Sequence, residues 1–386
     1  MHYPSDDMVD SKILVVAVIA VVAVVAAGAA AATGVFDKGG DDGEIVIIDG
    51  AGKKIVLDEP LTSVVLGNVN VPKMCNIIGA NDAVKGLSFY SDRSDASNWE
   101  KYGKLFPKAK HMAIEPSMTA EQVKTVANAV IVPVSSMTLT YAQELSYNQM
   151  GIKVIRLDCN GETAQDDMEK LTKLFGANEE IMKNYNEYWS MFEDVKGAVL
   201  SKVKAASLPD SRFLYYYGSF AAFYNQTSAS SDLVEEVSGK NALREIPGLD
   251  LSTISNKADV DGIREAVLEL DYNAPIDRLL IRGSTTTTSE SAAVSMFKTS
   301  EIYKNYRSLN AITNDQIYAF ASDPMSGCLA FIGYILVAEA MGVDTELDPS
   351  ALIAKYNERY GFSELTTGLM FAISVQDNDV SAIQLF

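Results

Sequence analysis

The sequence predicts an α/β protein of two Rossmann-like lobes joined by a long α-helix and preceded by an N-terminal transmembrane helix. Three observations carry that expectation. Short β-rich runs alternate with helical stretches from Glu44 onward. A proline-free helical stretch over residues 163–206 divides those runs into two sets. The two sets also echo one another in order. A chain of 386 residues is too long for one small core, which agrees with two lobes.

In chain order, residues 1–12 form a short tail with Asp6, Asp7, Asp10 and a single Lys12. Ile13 to Thr33 carries no charge and has the length, roughly 20 residues, that crosses a bilayer. It is read as an uncleaved anchor. A cleaved signal peptide is the alternative, because the alanines at 29 to 32 offer a cleavage site, but the acidic start argues against it. Residues 34–44, GVFDKGGDDGE, lack apolar periodicity and read as a flexible linker.

The N-terminal lobe is assigned to 45–162, with strands in EIVIID, KKIVL, SVVLG, AVKGLS, AVIVPV and KVIRLD. The interlobe helix is assigned to 163–206. The C-terminal lobe follows over 207–386, with strands in RFLYYYG, DRLLIRG and QIYAFA.

The echo between lobes is specific in order. SVVLG is followed by a polar loop, the helix PKMCNII and Gly79-Ala80-Asn81; RFLYYYG is followed by a polar loop, the helix SDLVEEV and Ser238-Gly239-Lys240-Asn241. Later, EQVKTVANAVIVPVSS matches EAVLELDYNAPIDRLLIRGSTTTT, each with a glutamate near its helix start and hydroxyls after its strand. Two such lobes leave a cleft between them, and ligands of open parallel sheets sit beyond the carboxyl ends of the strands.

Composition narrows the function. A net charge of -19 with no run of Lys or Arg argues against a nucleic-acid partner. Cys75, Cys159 and Cys328 show no paired spacing, so they read as small buried residues rather than as a disulfide framework or zinc site. Only His2 and His111 are present, which disfavours a histidine metal cage. No G-x-S-x-G or phosphate-binding loop is found, and GKNALREIPG lacks the glycine spacing of one.

Several segments, taken together, resemble a known family. IIDGAGKKIVLDEPLTSVVLG is similar to an opening hairpin and first lobe strand, and NIIGANDAVKGLS to a helix, Leu-Gly-Ala, strand pattern. SGKNAL is similar to a Gly-Gly-x-Asn-Ala turn, with Ser238 in place of the first glycine, and LNAITNDQIYAFASDPMSGCLAFIGYILVAEAM to a closing strand and helix. In that order, over nearly all of 45–362, they resemble the solute-binding proteins of iron-siderophore and cobalamin ABC importers, the helical-backbone (class III) periplasmic binding proteins.

The resemblance implies a protein that catalyses nothing and has no resident cofactor. It implies capture of an iron(III) chelate of siderophore type, with cobalamin or another corrinoid, or haem, as alternatives. Its implied partners are an ABC permease with its ATPase, and the membrane through the N-terminal helix, the body being a monomer outside the cytoplasm. In the resembled family each lobe presents a glutamate to the permease, and Glu121 and, more approximately, Glu265 match those positions. A membrane-tethered enzyme or sensor ectodomain is the reading from a different class.

Candidate cleft residues are those at strand ends. On the first lobe they are Asn68 and Asn70; Phe89, Tyr90 and Arg93; and Ser135, Ser136 and Thr138. On the second they are Tyr217, Phe220, Phe223 and Tyr224; Arg282 with Ser284 and Thr285; and Asp323 and Met325. Aromatic faces supply contact area and an arginine fork pairs with anionic groups. Haem would need an axial tyrosine such as Tyr90 or Tyr224.

Blander readings stand beside these. Some of Tyr215 to Tyr217 belongs to packing, Arg93 sits beside Asp92 and Asp95, Arg282 has Glu290 within loop reach, and the threonines also serve as a polar connection. Ser230 and Ser231 are expected to cap a helix whose N–H groups face the cleft. Asn225-Gln226-Thr227 fits a glycosylation acceptor by chance.

Overall fold

The computed structural model describes residues 43–89, 92–112, 118–134, 139–207, 211–218, 222–223, 229–249, 257–284, 287–376 and 379–386. The expected membrane segment 13–33 lies outside them. Among the described residues no helix is long and apolar enough to cross a membrane.

The first lobe opens with an antiparallel hairpin, β1 (Ile45–Ile48) and β2 (Lys54–Leu57). Then come β3 (Val64–Gly67), α1 (Asn70–Ile77), β4 (Val84–Ser88), α2 (Asp92–Tyr102), β5 (Lys110–His111), α3 (Ala120–Lys124), β6 (Ala129–Val132), α4 (Tyr141–Gln149) and β7 (Lys153–Arg156). Five of these strands form a parallel sheet in the order β5-β4-β3-β6-β7. β3 and β6 are buried at every position, as their unbroken apolar runs require of parallel strands covered on both faces.

Residues 163–206, expected as one helix, form two: α5 (Ala164–Leu174) and α6 (Glu179–Ala206). The break falls at Gly176 and Ala177, both with positive φ, and Asn178 then caps α6 by accepting from the N–H of Ile181 at 3.0 Å. Gly176 also meets the ring of Pro60, which a side chain would displace. The 28 residues of α6 span about 42 Å at 1.5 Å each.

The second lobe contains β8 (Ser211–Tyr217), β9 (Ala222–Phe223), α7 (Ala229–Ser238), β10 (Gly239–Asn241), α8 (Lys257–Gly262), α9 (Arg264–Asn273), β11 (Arg278–Arg282) and α10 (Glu290–Thr299). It continues with α11 (Glu301–Asn305), α12 (Asn310–Thr313), β12 (Ile317–Phe320), α13 (Ala330–Ala340), α14 (Pro349–Tyr360), β13 (Met370–Gln376) and β14 (Asp379–Gln384). Its sheet runs β10-β8-β11-β12 in parallel, extended by antiparallel β13 and β14, with β9 beside β8.

With the two-residue edge strand β5 left out, the parallel strands of each sheet have the order 2-1-3-4: β4-β3-β6-β7 in one lobe and β10-β8-β11-β12 in the other. The echo in the sequence is therefore a repeat of topology. The Gly239 turn fits this plan. Its φ is +110° and an added Cβ would lie 3.0 Å from the Ser211 carbonyl, so the parallel pairing of β10 with β8 depends on glycine.

The lobes are joined by an aromatic seam. Tyr188, Trp189 and Phe192 of α6 pack with Phe331 and Tyr334 of α13 and with Tyr360 of α14. After α14 the chain stays on the first lobe: Asn76 donates to the Tyr360 carbonyl at 2.7 Å, and Phe362 packs edge-on against Tyr102. Only then does it return as β13. The seam is thus one continuous apolar cluster from Val64 and Leu66 through Tyr188 to Ile335.

Candidate functional site

Arg282 ends β11 directly beside Tyr217, which ends β8. Its guanidinium lies over the Tyr217 ring at 5.3 Å. Nε donates to Ser322 at 3.3 Å, Nη1 to Ser230 at 3.2 Å and Nη2 to Ser326 at 3.0 Å. Glu290, the alternative partner read from sequence, instead accepts from the Gln384 N–H at 3.0 Å. Ser230 does not cap an open helix end; it is buried within the first turn and donates to the Met325 carbonyl at 2.7 Å, and Ser231 is buried beside it. The reason is that the loop after β12 folds over the start of α7.

That loop, residues 322–328, is where strand ends of both lobes meet. Asn160, just past β7, accepts from the Gly327 N–H at 2.8 Å. Asn70, just past β3, lies so close that a Cβ on Gly327 would stand 2.8 Å from its Oδ1, and Gly327 has φ +65°. Asn68, also at positive φ, turns the chain there by accepting from the N–H groups of Val69 and Asn70. A small cavity beside the loop is lined by Thr288, Ser322, Asp323, Pro324, Leu329 and Leu365.

A charge network crosses the same seam. Glu364 pairs with Lys73 at 3.0 Å and also with Lys101, and accepts from the Tyr102 hydroxyl at 3.2 Å. Lys101 reaches on to Asp323 at 3.3 Å. The Tyr102 ring has Lys73 Nζ at 5.4 Å and Lys101 Nζ at 5.2 Å.

Burial opposes the charge on Lys73, yet Tyr102, Glu364 and Asp323 together hold its pKa well above the ordinary lysine value. Burial would likewise raise the Asp323 pKa, but Lys73 and Lys101 outweigh it and draw it down to about 2.

Of the predicted residues, Asn70, Tyr217, Arg282, Ser284 and Asp323 lie at the described strand ends and are partly exposed. Three predicted contacts lie in the core instead. Phe89 is fully covered between Tyr102 and His111, Met325 is folded beneath its own loop, and Phe223 packs edge-on to Tyr216 and Tyr306. Tyr215 and Tyr216 are buried and only Tyr217 reaches out.

One threonine of the run, Thr287, is buried and accepts from the Ser284 N–H at 3.0 Å, so it orders the loop. Tyr90, Ser135, Ser136, Thr138, Phe220, Tyr224, Thr285 and Asn225 to Thr227 lie outside the described residues. So does the side chain of Arg93, whose backbone is in the first turn of α2.

Glu121 and Glu265 are both exposed in the first turns of helices α3 and α9, each preceding the third strand of its sheet's core. The Glu121 carboxyl is held below the usual range by its own N–H and by Thr119. The three cysteines are free and buried. Among the described residues no group of three His, Cys, Asp or Glu is placed to hold a metal ion.

Sequence reading missed Lys73, Lys101, Asn160, Ser326 and Glu364. Ser326 stood inside the quoted ASDPMSG, and Asn160 follows the strand KVIRLD, so both had a strand-end signal. The charged trio had none, since its members come from three separate elements.

By sequence, the chain matches no family profile and no curated protein. By structure it is similar to the TroA-like periplasmic binding protein FepB from Veillonella parvula, with 17% identity, a TM-score of 0.62, and 83% of this chain and 97% of that one covered. It is also similar to CeuE from Helicobacter pylori with Ni(II) bound, at 13% identity and TM-score 0.56, covering 84% of this chain and 98% of that one. A periplasmic heme binding protein from Pseudomonas aeruginosa is similar at 9% identity and TM-score 0.52, covering 72% and 92%.

Proposed function

We propose, from a chain whose two lobes have the fold of these periplasmic binding proteins, that it is the extracytoplasmic solute-binding component of an ABC importer. It captures an iron(III) chelate of siderophore type between its lobes and delivers it to the permease and its ATPase. Residues 13–33 hold the body at the cell membrane as a monomer. One observation carries this reading: strand ends of both lobes converge on loop 322–328, with Arg282 and Tyr217 at its edge.

The chemistry follows from those two groups. A ferric chelate presents anionic oxygens and flat rings; a guanidinium offers a planar fork of donors and a phenol face offers area. Switch-point loops, after β3 and β6 in one lobe and after β8 and β11 in the other, are where an open α/β sheet receives a ligand. Ser135, Ser136, Tyr90, Phe220, Tyr224 and Thr285 are proposed to complete the site from those loops and their neighbours. Joined through α6 and the aromatic seam, the lobes make a modest closing motion rather than a wide hinge. Glu121 and Glu265, at matching places in the two lobes, are proposed to dock on permease arginines.

A second reading, haem as cargo, is favoured by the likeness to a heme-binding protein, and a corrinoid is the remaining alternative. The absorption spectrum of the protein purified from its native source separates them. A weak charge-transfer band supports the ferric chelate, whereas a Soret band or corrin bands would replace it.

A further inference from the structure

We infer that loop 322–328 transmits closure of the lobes to Arg282, with Lys101 and Asn160 of the first lobe as positioning residues that never touch the solute. The inference rests on the proposed binding role of Arg282.

The loop is gripped from both sides. The second lobe holds it through Arg282 on Ser322 and Ser326 and through Ser230 on the Met325 carbonyl. The first lobe holds it through Lys101 on Asp323 at 3.3 Å and Asn160 on the Gly327 N–H at 2.8 Å. The grips of the two lobes alternate along seven residues, so the loop cannot shift on one lobe without loosening on the other.

The two arms of Lys101 differ. Its partner Glu364 has 1% of its side chain exposed and follows a segment fixed to the first lobe through Asn76 on Tyr360 and Tyr102 on Phe362. Its partner Asp323 is 37% exposed and belongs to the second lobe. When the lobes part, Lys101 keeps Glu364 and loses Asp323.

The Asn160 bond is lost with it, leaving Ser322 and Ser326 on a loop held by the second lobe and, at its far end, by the Tyr188 hydroxyl of α6 on the Cys328 carbonyl at 3.0 Å. The Arg282 fork is then less fixed in direction. Preorganisation of that fork thereby becomes a property of the closed state, and a solute gripped by Arg282 favours closure.

The test uses the full chain in lipid nanodiscs with arginine side chains labelled with nitrogen-15, without solute. Hydrogen exchange of the Arg282 Nε–H, the donor to Ser322, is expected to rise about tenfold in Asp323→Asn and in Asn160→Ala, as for a local opening made easier. Asp323→Glu, which restores the ion pair, returns it toward the wild-type rate. Thermal midpoints of both variants are measured alongside, and Lys101→Arg serves as a second conservative variant.

Unchanged Arg282 exchange in folded Asp323→Asn and Asn160→Ala overturns the inference. A separate titration with ferric tris-catecholate reads the functional proposal. If wild-type protein binds, Asn160→Ala, which leaves the charge of the site unaltered, releases the chelate faster at an unchanged association rate. If wild-type protein does not bind, the binding proposal fails while the exchange measurement still decides the coupling.

Discussion

Lys73 and Glu364 form an ion pair of 3.0 Å with 7% and 1% of their side chains exposed, joining α1 of the first lobe to the segment that follows α14. Taking two charges out of water is costly, and removing one partner leaves the other unpaired. Glu364→Gln strips the counter-charge from both Lys73 and Lys101 and is expected to cost about 3–5 kcal/mol in urea unfolding. The double variant Lys73→Met with Glu364→Gln is expected to recover part of that loss. Equal stability of wild type and Glu364→Gln would show the pair to be energetically idle.

The same network fixes a pH dependence with two limbs. The folded Asp323 pKa of about 2 lies below its unfolded value, so the unfolded chain binds more protons in between. Its stabilisation is therefore present above the unfolded value, roughly pH 4, and lost as pH falls toward 2. Lys73 has the opposite sign: its raised pKa contributes fully below the unfolded lysine value and is lost as pH rises through the folded one. Stability curves of Asp323→Asn are expected to be flatter than wild type on the acid limb and, because Asp323 also helps hold the Lys73 and Lys101 pKa values up, to lose part of the alkaline limb.

Two glycines in helices are expected to respond in opposite directions to alanine. A Cβ on Gly333 of α13 would stand 2.4 Å from the Pro324 carbonyl and 2.9 Å from Leu233, so Gly333→Ala pushes on the loop after β12 and costs about 1–3 kcal/mol. Gly197 of α6 has nothing within 4 Å, and Gly197→Ala gains about 0.5–1 kcal/mol through helix propensity. Thermal melts of the two variants check the contrast.

Glu121 is exposed on α3, far in sequence from every strand-end group that grips loop 322–328. Glu121→Ala is therefore expected to leave solute affinity unchanged while lowering uptake in cells. Wild-type uptake by that variant would remove the docking role.

The strands β3, β6, β8 and β11 were legible because each is built on an apolar run followed by a polar loop, and the echo of those segments matches the shared core order of the two sheets. The two-residue β5 and the short β10 were not, since so few residues carry no period. The hairpin β13–β14 went unread although Met370–Gln376 and Asp379–Gln384 flank an Asp377-Asn378 turn signal, because the family resemblance ends at 362.

At the site, Arg282 and Tyr217 were visible as polar ends of apolar strands. Phe89 looked the same but turned inward, where strand-end position alone does not decide which way a ring points. Asp323 was read as a strand-end residue, but its partners Lys73, Lys101 and Glu364 were hidden because they are distant in sequence, Lys73 and Lys101 looking like ordinary surface charges on helices and Glu364 like one on a connection.

In the proposed function one solute sits between the lobes against Arg282. The most direct measurement of that arrangement is a titration of the full chain with a ferric chelate, haem and cobalamin, repeated for Arg282→Ala. One of the three is expected to bind with one-to-one stoichiometry, and Arg282→Ala to weaken it at least about tenfold, the loss of a charge-assisted hydrogen bond. Binding by none of them, or binding that Arg282→Ala leaves unchanged, would contradict the proposed function.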